Sequence, residues 1–213
     1  MQGAQAFIPS GRSTLPALAE AARACQGCDL YRNASQTVFG LGPADATVML
    51  VGEQPGDQED RAGRPFVGPA GKILDDALAQ VGIDRSAAYV TNAVKHFKFV
   101  PAERGQRRIH KTPDADEIVA CRPWLLAEMA LVQPKVLVLL GATAGKALLG
   151  STFTVNRHRG VPLDWPASAP PEVAAIGLLA TIHPSAVLRA DDQDEAFNGL
   201  VRDLNRVREL LPP

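Results

Sequence analysis

The chain has few cysteines, little net charge and no long apolar run, and each of these absences excludes a class of protein. Three cysteines in 213 residues are too few for a disulfide framework, and their odd number favours a reducing compartment. A formal net charge of −1 excludes a generally basic nucleic-acid coat, so any contact with nucleic acid has to be local. No segment has the hydropathy of a membrane span, and residues 1–14 lack the apolar core of a signal peptide. We therefore expect a cytoplasmic protein that makes no membrane contact.

The pattern of apolar residues predicts one α/β domain. Hydrophobic residues make up 46% of the chain, enough for a single core, and we expect a monomer with one domain over residues 1–213 and a flexible N-terminus over residues 1–14. Apolar runs suited to buried strands alternate with segments of helical spacing, and these runs lie at 46–52, 88–94, 135–140 and 174–182. Such alternation predicts a three-layer α/β/α fold with a central, mostly parallel four-stranded sheet. The longest predicted helix has Thr112 as its cap and runs to about Val132.

Ligands of parallel sheets bind at the carboxyl ends of the strands, and this rule selects three places in the sequence. The first is the segment after Gly52, where Glu53, Gln54 and Asp57 bring acids and an amide close to flexible glycines. The second is Asn92, and the third is the segment from His183 to Arg189. Each of these side chains alone is more often structural than functional, but their shared position favours one binding site.

A basic segment with a histidine inside it suggests an anionic partner. Residues 95–111 carry six Lys or Arg against one acid, Glu103, in a chain that is otherwise close to neutral. Neither a strand nor a helix period runs through the segment, so we predict an exposed loop. Its candidate contacts to DNA are Arg107, Arg108 and Lys111, and His110 lies among them. Arg189 is a further candidate contact to DNA, outside this segment.

The cysteines have the spacing of metal ligands. Cys25 and Cys28 are separated by two residues, which lets two thiolates meet at one centre, and Cys121 adds a third. His96 is a reasonable fourth ligand, because iron in clusters accepts imidazole as well as thiolate. From the residues alone, zinc and an iron-sulfur cluster are equally compatible with this set.

Several motifs, in their order and spacing, resemble the uracil-DNA glycosylase superfamily. The resemblance extends from Cys25 to about Leu210 and is strongest to the iron-sulfur enzymes of family 4 and to a related bacterial group known as UdgX. The motifs that carry it are Cys25-Gln26-Gly27-Cys28, Gly52-Glu53-Gln54-Pro55-Gly56, Phe66-Val67-Gly68-Pro69-Ala70-Gly71, Thr91-Asn92, Cys121-Arg122-Pro123 and His183-Pro184-Ser185.

The resemblance implies roles for these residues in the removal of uracil from DNA, with single-stranded DNA as the expected substrate and free uracil as a product. Phe66 is expected to stack on uracil, Asn92 to bond the polar edge of the base, and His183 to face the oxygen that gains negative charge. Gly52 and Gln54 are expected to contact the substrate as well. Glu53 or Asp57 would stabilise the cationic sugar. The cysteines and His96, which replaces the usual fourth cysteine, would hold a 4Fe-4S cluster.

Two features separate the chain from ordinary family 4 enzymes and match the UdgX group: Gln54, and the segment that ends Arg107-Arg108-Ile109-His110-Lys111. Gln106 departs from that group, which commonly has Lys there. The resemblance implies that His110 attacks the abasic sugar, so that the protein remains covalently attached to DNA. The basic neighbours of His110 are expected to keep its imidazole neutral and therefore nucleophilic. The alternatives are a family 4 enzyme with ordinary turnover, a non-catalytic DNA-binding module, and a redox iron-sulfur protein.

Overall fold

A central sheet of five strands organises the chain in the computed structural model, which describes residues 3–11, 13–100 and 108–211. The strands are β1 (Val48–Gly52), β2 (Tyr89–Asn92), β3 (Phe99–Val100), β4 (Ile109–His110), β5 (Val136–Leu140), β6 (Pro162–Leu163) and β7 (Gly177–Thr181). Their order in the central sheet is β2-β1-β5-β7-β6, and a separate two-stranded sheet is formed by β3 and β4.

The four predicted parallel strands are confirmed as β1, β2, β5 and β7. A fifth strand, β6, was not predicted and pairs antiparallel with β7 at the edge of the sheet. Two residues are too short for a period to show in the sequence, and an edge strand is the position where a proline such as Pro162 is tolerated.

Helices cover both faces of the sheet, as the three-layer prediction requires. Two short 3₁₀ helices, Ala4–Phe7 and Asp29–Arg32, accompany them. The α-helices are α1 (Leu15–Ala22), α2 (Asp57–Ala62), α3 (Pro69–Gln80), α4 (Ala115–Val132), α5 (Ala142–Leu149), α6 (Val155–His158), α7 (Pro171–Ala174), α8 (Pro184–Val187), α9 (Gln193–Asn205) and α10 (Val207–Leu210). None of the helices among the described residues has the length and apolar character needed to cross a bilayer.

Alternate residues of each central strand face opposite layers. In β1, Met49 and Val51 pack into the core shared with α1, α4 and α5. Val48 and Leu50 pack into the second core, shared with α3, α9 and α10. Because every residue of β1 is buried, the strand reads in the sequence as one continuous apolar run.

The start of the long helix α4 differs from the prediction by two residues. Asp114, not Thr112, is the N-cap: its side chain accepts the Glu117 N–H at 3.0 Å, and the Glu117 carboxylate accepts the Asp114 N–H at 2.8 Å. The reciprocal capping box satisfies two helix-end donors, which a lone threonine cap does not.

The described part of the basic segment forms a β-hairpin and not an irregular loop. Phe99 pairs with His110 and Val100 pairs with Ile109 in antiparallel register. Two-residue strands carry too little periodicity to be recognised in a sequence. Arg107, together with the rest of 101–107, lies outside the described residues.

Part of the predicted flexible N-terminus has a defined place in the structure. The 3₁₀ helix Ala4–Phe7 packs against α4, and Ala4 is fully buried. The flexibility of residues 1–14 as a whole, and the single domain over residues 1–213, stay predictions.

Candidate active site

The parallel register brings several strand ends to one edge of the sheet. Gly52, the last residue of β1, pairs with Asn92, the last residue of β2. On the other side of β1, Leu140 at the end of β5 pairs with Thr181 at the end of β7. The side chains that follow these residues therefore face a common space, as the strand-end rule predicts.

Glu53 is the central acid of this site. Its Oε2 accepts a hydrogen bond from the Thr143 hydroxyl at 2.5 Å, and its Oε1 lies 3.3 Å from Nε2 of His110. Burial alone would raise the pKa of Glu53, but the hydrogen bonds from His110 and Thr143 outweigh burial and hold that pKa below its ordinary value. The carboxylate is therefore charged at neutral pH and available to stabilise a developing positive charge.

The hydrogen bonds of His183 determine which of its nitrogens carries a proton. The main-chain N–H of Ser185 donates to Nδ1 at 3.1 Å, and the Ser185 hydroxyl lies 2.8 Å from the same nitrogen. Because a main-chain N–H can only donate, Nδ1 is the acceptor and the neutral ring carries its proton on Nε2. Burial lowers the pKa of His183 to about 4, against the opposing charge of Glu53. At neutral pH the ring is thus an uncharged donor.

Phe66, Asn92 and Gly52 lie together beside His183 at this edge of the sheet, and we call this edge the cleft. The Phe66 ring stacks on the His183 ring with centroids 6.0 Å apart and an interplanar angle of 28°. A Cβ atom on Gly52 would lie 2.4 Å from Asn92 Oδ1 and 2.7 Å from Phe66 Cζ, so a larger residue at Gly52 would displace both side chains. The Asn92 carboxamide makes no hydrogen bond with the described part of the chain, and it can therefore bond a ligand.

Phe66 adopts a backbone conformation that is rare for a residue with a side chain. Its φ is 55°, in the left-handed region that favours glycine. Such a conformation costs on the order of 1–3 kcal/mol and persists where the surrounding structure holds it. The Glu59 carboxylate supplies that support, since it accepts the N–H groups of Gly56 at 3.1 Å and Gly68 at 2.8 Å, on either side of Phe66 along the chain.

Gln54 bonds the hairpin that carries His110. Its Nε2 donates to the carbonyl oxygens of Lys98 at 3.2 Å and Lys111 at 3.0 Å, and its Oε1 accepts the Lys98 N–H at 2.9 Å. These are main-chain groups at the base of the hairpin, where the two strands also bond each other. The structure therefore gives Gln54 a role in holding the hairpin, while contact between Gln54 and substrate stays a prediction.

Arg108 is held by two acids on α2. Its guanidinium bonds the Asp57 carboxylate, and its NH1 donates to Asp60 at 2.7 Å. The same guanidinium lies 4.7 Å from the centroid of the Phe99 ring, within the range of a cation–π contact. Burial would raise the pKa of Asp57, but hydrogen bonds from Arg61 and Arg108 hold it below its ordinary value. In this structure Asp57 and Arg108 fix the second strand of the hairpin beside the helix.

His110 faces the site from the hairpin. Its side chain is 49% exposed, its ring centroid lies 6.0 Å from that of Phe97, and its Nε2 is the nitrogen that faces Glu53. Of the other predicted DNA contacts, Lys111 is exposed, and Arg189 is exposed with its NH1 donating to the Ser185 hydroxyl at 3.2 Å. The structure thus brings together Glu53, His110 and His183.

Two site residues were missed by the sequence reasoning. Thr143 follows the strand β5, which ends at the same edge as β1, so the strand-end rule could have selected it. Asp60 lies three residues after Asp57 on α2, a spacing that places two acids on one helix face. No local pattern indicates that Asp57 and Asp60 bind Arg108, which lies 51 and 48 residues further along the chain.

The three cysteines are buried close to one another and receive N–H donors. Trp124 Nε1 donates to Cys25 Sγ and the main-chain N–H of Lys95 donates to Cys121 Sγ, each at 3.2 Å. Burial raises the pKa of Cys121 to about 12, against the opposing charge of Lys95 and with a further increase from Cys28. No three His, Cys, Asp or Glu side chains within 3–11, 13–100 and 108–211 are grouped as ligands of one metal ion.

His96, the predicted fourth ligand, has its Nε2 bonded within the chain, and its role as a ligand stays a prediction. It is buried and follows Lys95, whose N–H meets Cys121, and its Nε2 lies 3.0 Å from the Thr37 hydroxyl. The bond from Nε2 to Thr37 leaves Nδ1 as the nitrogen that could bind iron.

The three cysteine sulfurs lie in an apolar pocket, and those of Cys25 and Cys121 accept N–H groups, which suits a thiolate-bound iron-sulfur cluster. The ligands of such a cluster are spread more widely than those of a single metal ion. These residues therefore fit a cluster.

The comparisons with known proteins agree with this fold. Residues 39–205 match the Uracil DNA glycosylase superfamily, and the chain belongs to that superfamily. Within it, the chain is related to Type-4 uracil-DNA glycosylases. It is 32% identical over 195 residues to the one from Thermotoga maritima, covering 91% of this chain and 93% of the relative. It is 34% identical over 207 residues to the one from Saccharolobus solfataricus, covering 92% of this chain and 86% of the relative.

The change Gln54→Ala is expected to loosen the hairpin without unfolding the sheet. The Lys98 N–H loses its acceptor, so its hydrogen exchange should accelerate, while the Val94 N–H, which donates to the Glu53 carbonyl at 3.0 Å, keeps its protection. We expect a loss of roughly 1–3 kcal/mol in unfolding free energy, because three partly buried hydrogen bonds to the hairpin main chain are lost. Gln80→Ala, an exposed change at the end of α3, is the control. Unchanged exchange at Lys98 would show that Gln54 does not hold the hairpin.

Acidification is expected to destabilise the protein through His183. The unfolded histidine gains its proton near an ordinary pKa of about 6.5, whereas folded His183 does so only at about 4. Between these values the unfolded state binds more protons, so the unfolding free energy falls as the pH falls. Urea denaturation between about pH 7 and pH 5 measures this loss. It should be smaller in His183→Asn, which keeps a helix cap. An equal loss in both proteins contradicts the assignment.

Proposed function

We propose that this protein removes uracil from DNA and then forms a covalent bond between His110 and the abasic sugar. Membership of the superfamily and the similarity to Type-4 uracil-DNA glycosylases support the first part. The observation that supports covalent capture is the distance of 3.3 Å between His110 Nε2 and Glu53 Oε1. A sugar cation stabilised by the Glu53 carboxylate would be within reach of this imidazole.

The base is bound in the cleft between Phe66 and Asn92. Its ring stacks on Phe66, and the Asn92 carboxamide, which has both a donor and an acceptor, bonds its polar edge. The Nε2–H of His183 donates to the carbonyl oxygen on which negative charge accumulates as the glycosidic bond breaks. A neutral donor that is fixed in advance stabilises this charge without reorganising in the transition state.

The sugar lies against Glu53. As the bond between C1′ and N1 of uracil breaks, its electron pair leaves with the base, and the sugar becomes an oxocarbenium ion. The charged carboxylate of Glu53, held by the Thr143 hydroxyl, stabilises that cation. Asp57 supports this step indirectly, because it holds Arg108 and with it the hairpin.

The covalent step uses His110 Nε2, whose proton passes to the facing Glu53 carboxylate. The electron pair that this proton leaves on Nε2 forms the bond to C1′ of the oxocarbenium ion, so the joined imidazole is neutral. Glu53 then gives its proton to solvent and the uracil anion takes one up, so charge and atoms balance. The product is an imidazole joined to the sugar, and each protein molecule acts once.

Contacts with DNA outside the cleft come from exposed basic side chains around it. Lys111 and Arg189 flank the site on the hairpin and after α8. We propose that they bind phosphates, with Arg107 as a further contact from outside the described residues. We also propose that the substrate is single-stranded uracil-containing DNA and that the protein binds it as a monomer, through these exposed basic groups.

We propose that Cys25, Cys28, Cys121 and His96 would hold a 4Fe-4S cluster. When bound, it would link the segment before β1, the end of β2 and the helix α4 through metal–ligand bonds. The N–H donors from Trp124 and Lys95 stabilise the charge on the sulfurs. No step of the reaction at the cleft requires it.

The change His110→Ser separates base removal from covalent capture. Mixed with uracil-containing single-stranded DNA, the wild-type protein should give a shifted band on a denaturing gel, since a carbon–nitrogen bond survives denaturation. His110→Ser should give no shifted band yet still release uracil, which alkaline cleavage of the abasic DNA detects. The same oligonucleotide with thymine should give neither product.

The control variant is His158→Ser, because the His158 Nδ1 bonds the Thr154 carbonyl oxygen at 2.7 Å and makes no contact with Glu53. It should form the adduct like the wild type. An adduct that persists in His110→Ser would mean that another residue is the nucleophile. Free abasic product from the wild type, with no adduct, would show ordinary turnover.

If the protein holds the cluster, we expect it to be brown, with visible absorbance at about 400 nm. Cys121→Ser should lose this absorbance, while Ser168→Ala, a change in the segment between β6 and α7, should keep it. A colourless wild-type protein that contains zinc would contradict the proposal. Metal analysis of the same samples distinguishes the two outcomes.

A further inference from the structure

A buried ion pair lies between the cysteine segment and the end of β2, and none of the roles above uses it. Lys95 Nζ lies 2.5 Å from Glu128 Oε2, and their side chains are 1% and 0% exposed. Replacing such a pair with apolar residues of similar volume is often neutral or stabilising, because removing two charges from water is costly. Stability alone therefore does not explain why the pair is present.

Lys95 contacts both the cysteine segment and Asn92. Its ammonium donates to the Thr91 hydroxyl at 2.6 Å, to the Asn92 carbonyl oxygen at 2.8 Å and to Glu128, so all three of its donors are used. Its main-chain N–H donates to Cys121 Sγ at 3.2 Å. One residue thus fixes the main chain at the end of β2 against the helix α4.

Glu128 is held as firmly as the ammonium it binds. Its Oε1 accepts hydrogen bonds from the Gly40 N–H at 2.9 Å and from the Tyr89 and Thr91 hydroxyls at 3.0 Å each. Burial, with the charge of Glu128, raises the pKa of Tyr89, so the phenol keeps the proton that it donates. A Cβ atom on Gly40 would lie 2.3 Å from Glu128 Oε1, so a larger residue there would displace the carboxylate. The position of the Lys95 ammonium is therefore determined by the core.

The direction of the Asn92 carboxamide depends on this anchored main chain. Tyr89 and Thr91 bond Glu128 on the α4 side of the sheet, and Asn92, one residue later, points to the other side, where its Oδ1 lies over Gly52. The carboxamide has no hydrogen bond to the described residues that would orient it. Its orientation is set through the main chain, at the carbonyl group that Lys95 binds.

We propose that Lys95, held by Glu128, is a positioning residue for base discrimination, and that it does so by fixing Asn92 in the orientation that reads the polar edge of uracil. The inference rests on the proposed removal of uracil. It deepens that function, because it assigns the selectivity of the cleft to a buried pair that does not touch the base.

The test is the double variant Lys95→Met/Glu128→Leu, which removes both charges and leaves neither uncompensated. We expect it to fold, with an unchanged far-ultraviolet spectrum, and to release uracil roughly tenfold more slowly or worse in single turnover, as for a misplaced catalytic contact. Its preference for uracil over cytosine should fall as well. The control is Lys72→Met/Asp76→Leu, which removes an exposed pair of lysine and carboxylate on α3 and should react like the wild type.

A cycle with Asn92→Ala distinguishes positioning from general weakening of the fold. In the Asn92→Ala background there is no carboxamide to orient, so removing the ion pair should have no further effect on rate or selectivity. Equal slowing with and without Asn92, or wild-type rate and selectivity in the double variant, would overturn the proposal. If the double variant does not fold, Thr91→Val replaces it in the cycle, because it removes one acceptor of the ammonium and keeps both charges. A wild-type protein that releases no uracil would reject the proposed function itself.

Discussion

The position of His110 depends on the hydrogen bonds that hold its hairpin to the end of the sheet. An isolated hairpin of two-residue strands is not stable in water. Gln54 supplies three bonds to its main chain at Lys98 and Lys111, and Arg108 ties its second strand to Asp57 and Asp60. Because Glu53 precedes Gln54, one short segment after β1 both presents the acid of the site and fixes the imidazole opposite it. The resemblance to the UdgX group rests on Gln54 and on the segment that ends at Lys111, and these two features are in direct contact.

Buried carboxylates fix the other parts of the cleft in the same way. Glu59 accepts two main-chain N–H groups on either side of Phe66, and Glu128 holds the ammonium that binds Asn92. Each of these acids is buried, and each has its hydrogen bonds satisfied within the chain. A site built on such contacts is arranged before substrate arrives, which is the condition under which its dipoles are most effective.

The sequence predicted the elements whose signal is local and missed those that depend on distant partners. The four parallel strands, and with them the shared edge that carries Glu53, Asn92 and His183, follow from continuous apolar runs. The sequence did not predict the hairpin or the strand β6, because two-residue strands have no measurable period. It also did not predict the cap at Asp114, because that cap depends on a reciprocal bond with Glu117. The main-chain partners of Gln54 at Lys98 and Lys111 lie 44 and 57 residues away. From the sequence, Gln54 is therefore a polar residue near a predicted ligand site, and its bonds to the hairpin main chain become visible only in the structure.

In the covalent step that we propose, the imidazole of His110 has to react with the sugar before water does. Peptide mapping by mass spectrometry, after reaction of the protein with a uracil-containing oligonucleotide, shows which residue has reacted. We expect one modified peptide, with the mass of the nuclease-trimmed abasic nucleotide on His110. Unmodified His110 in a protein that has released uracil, or the same added mass on Lys111, would contradict it.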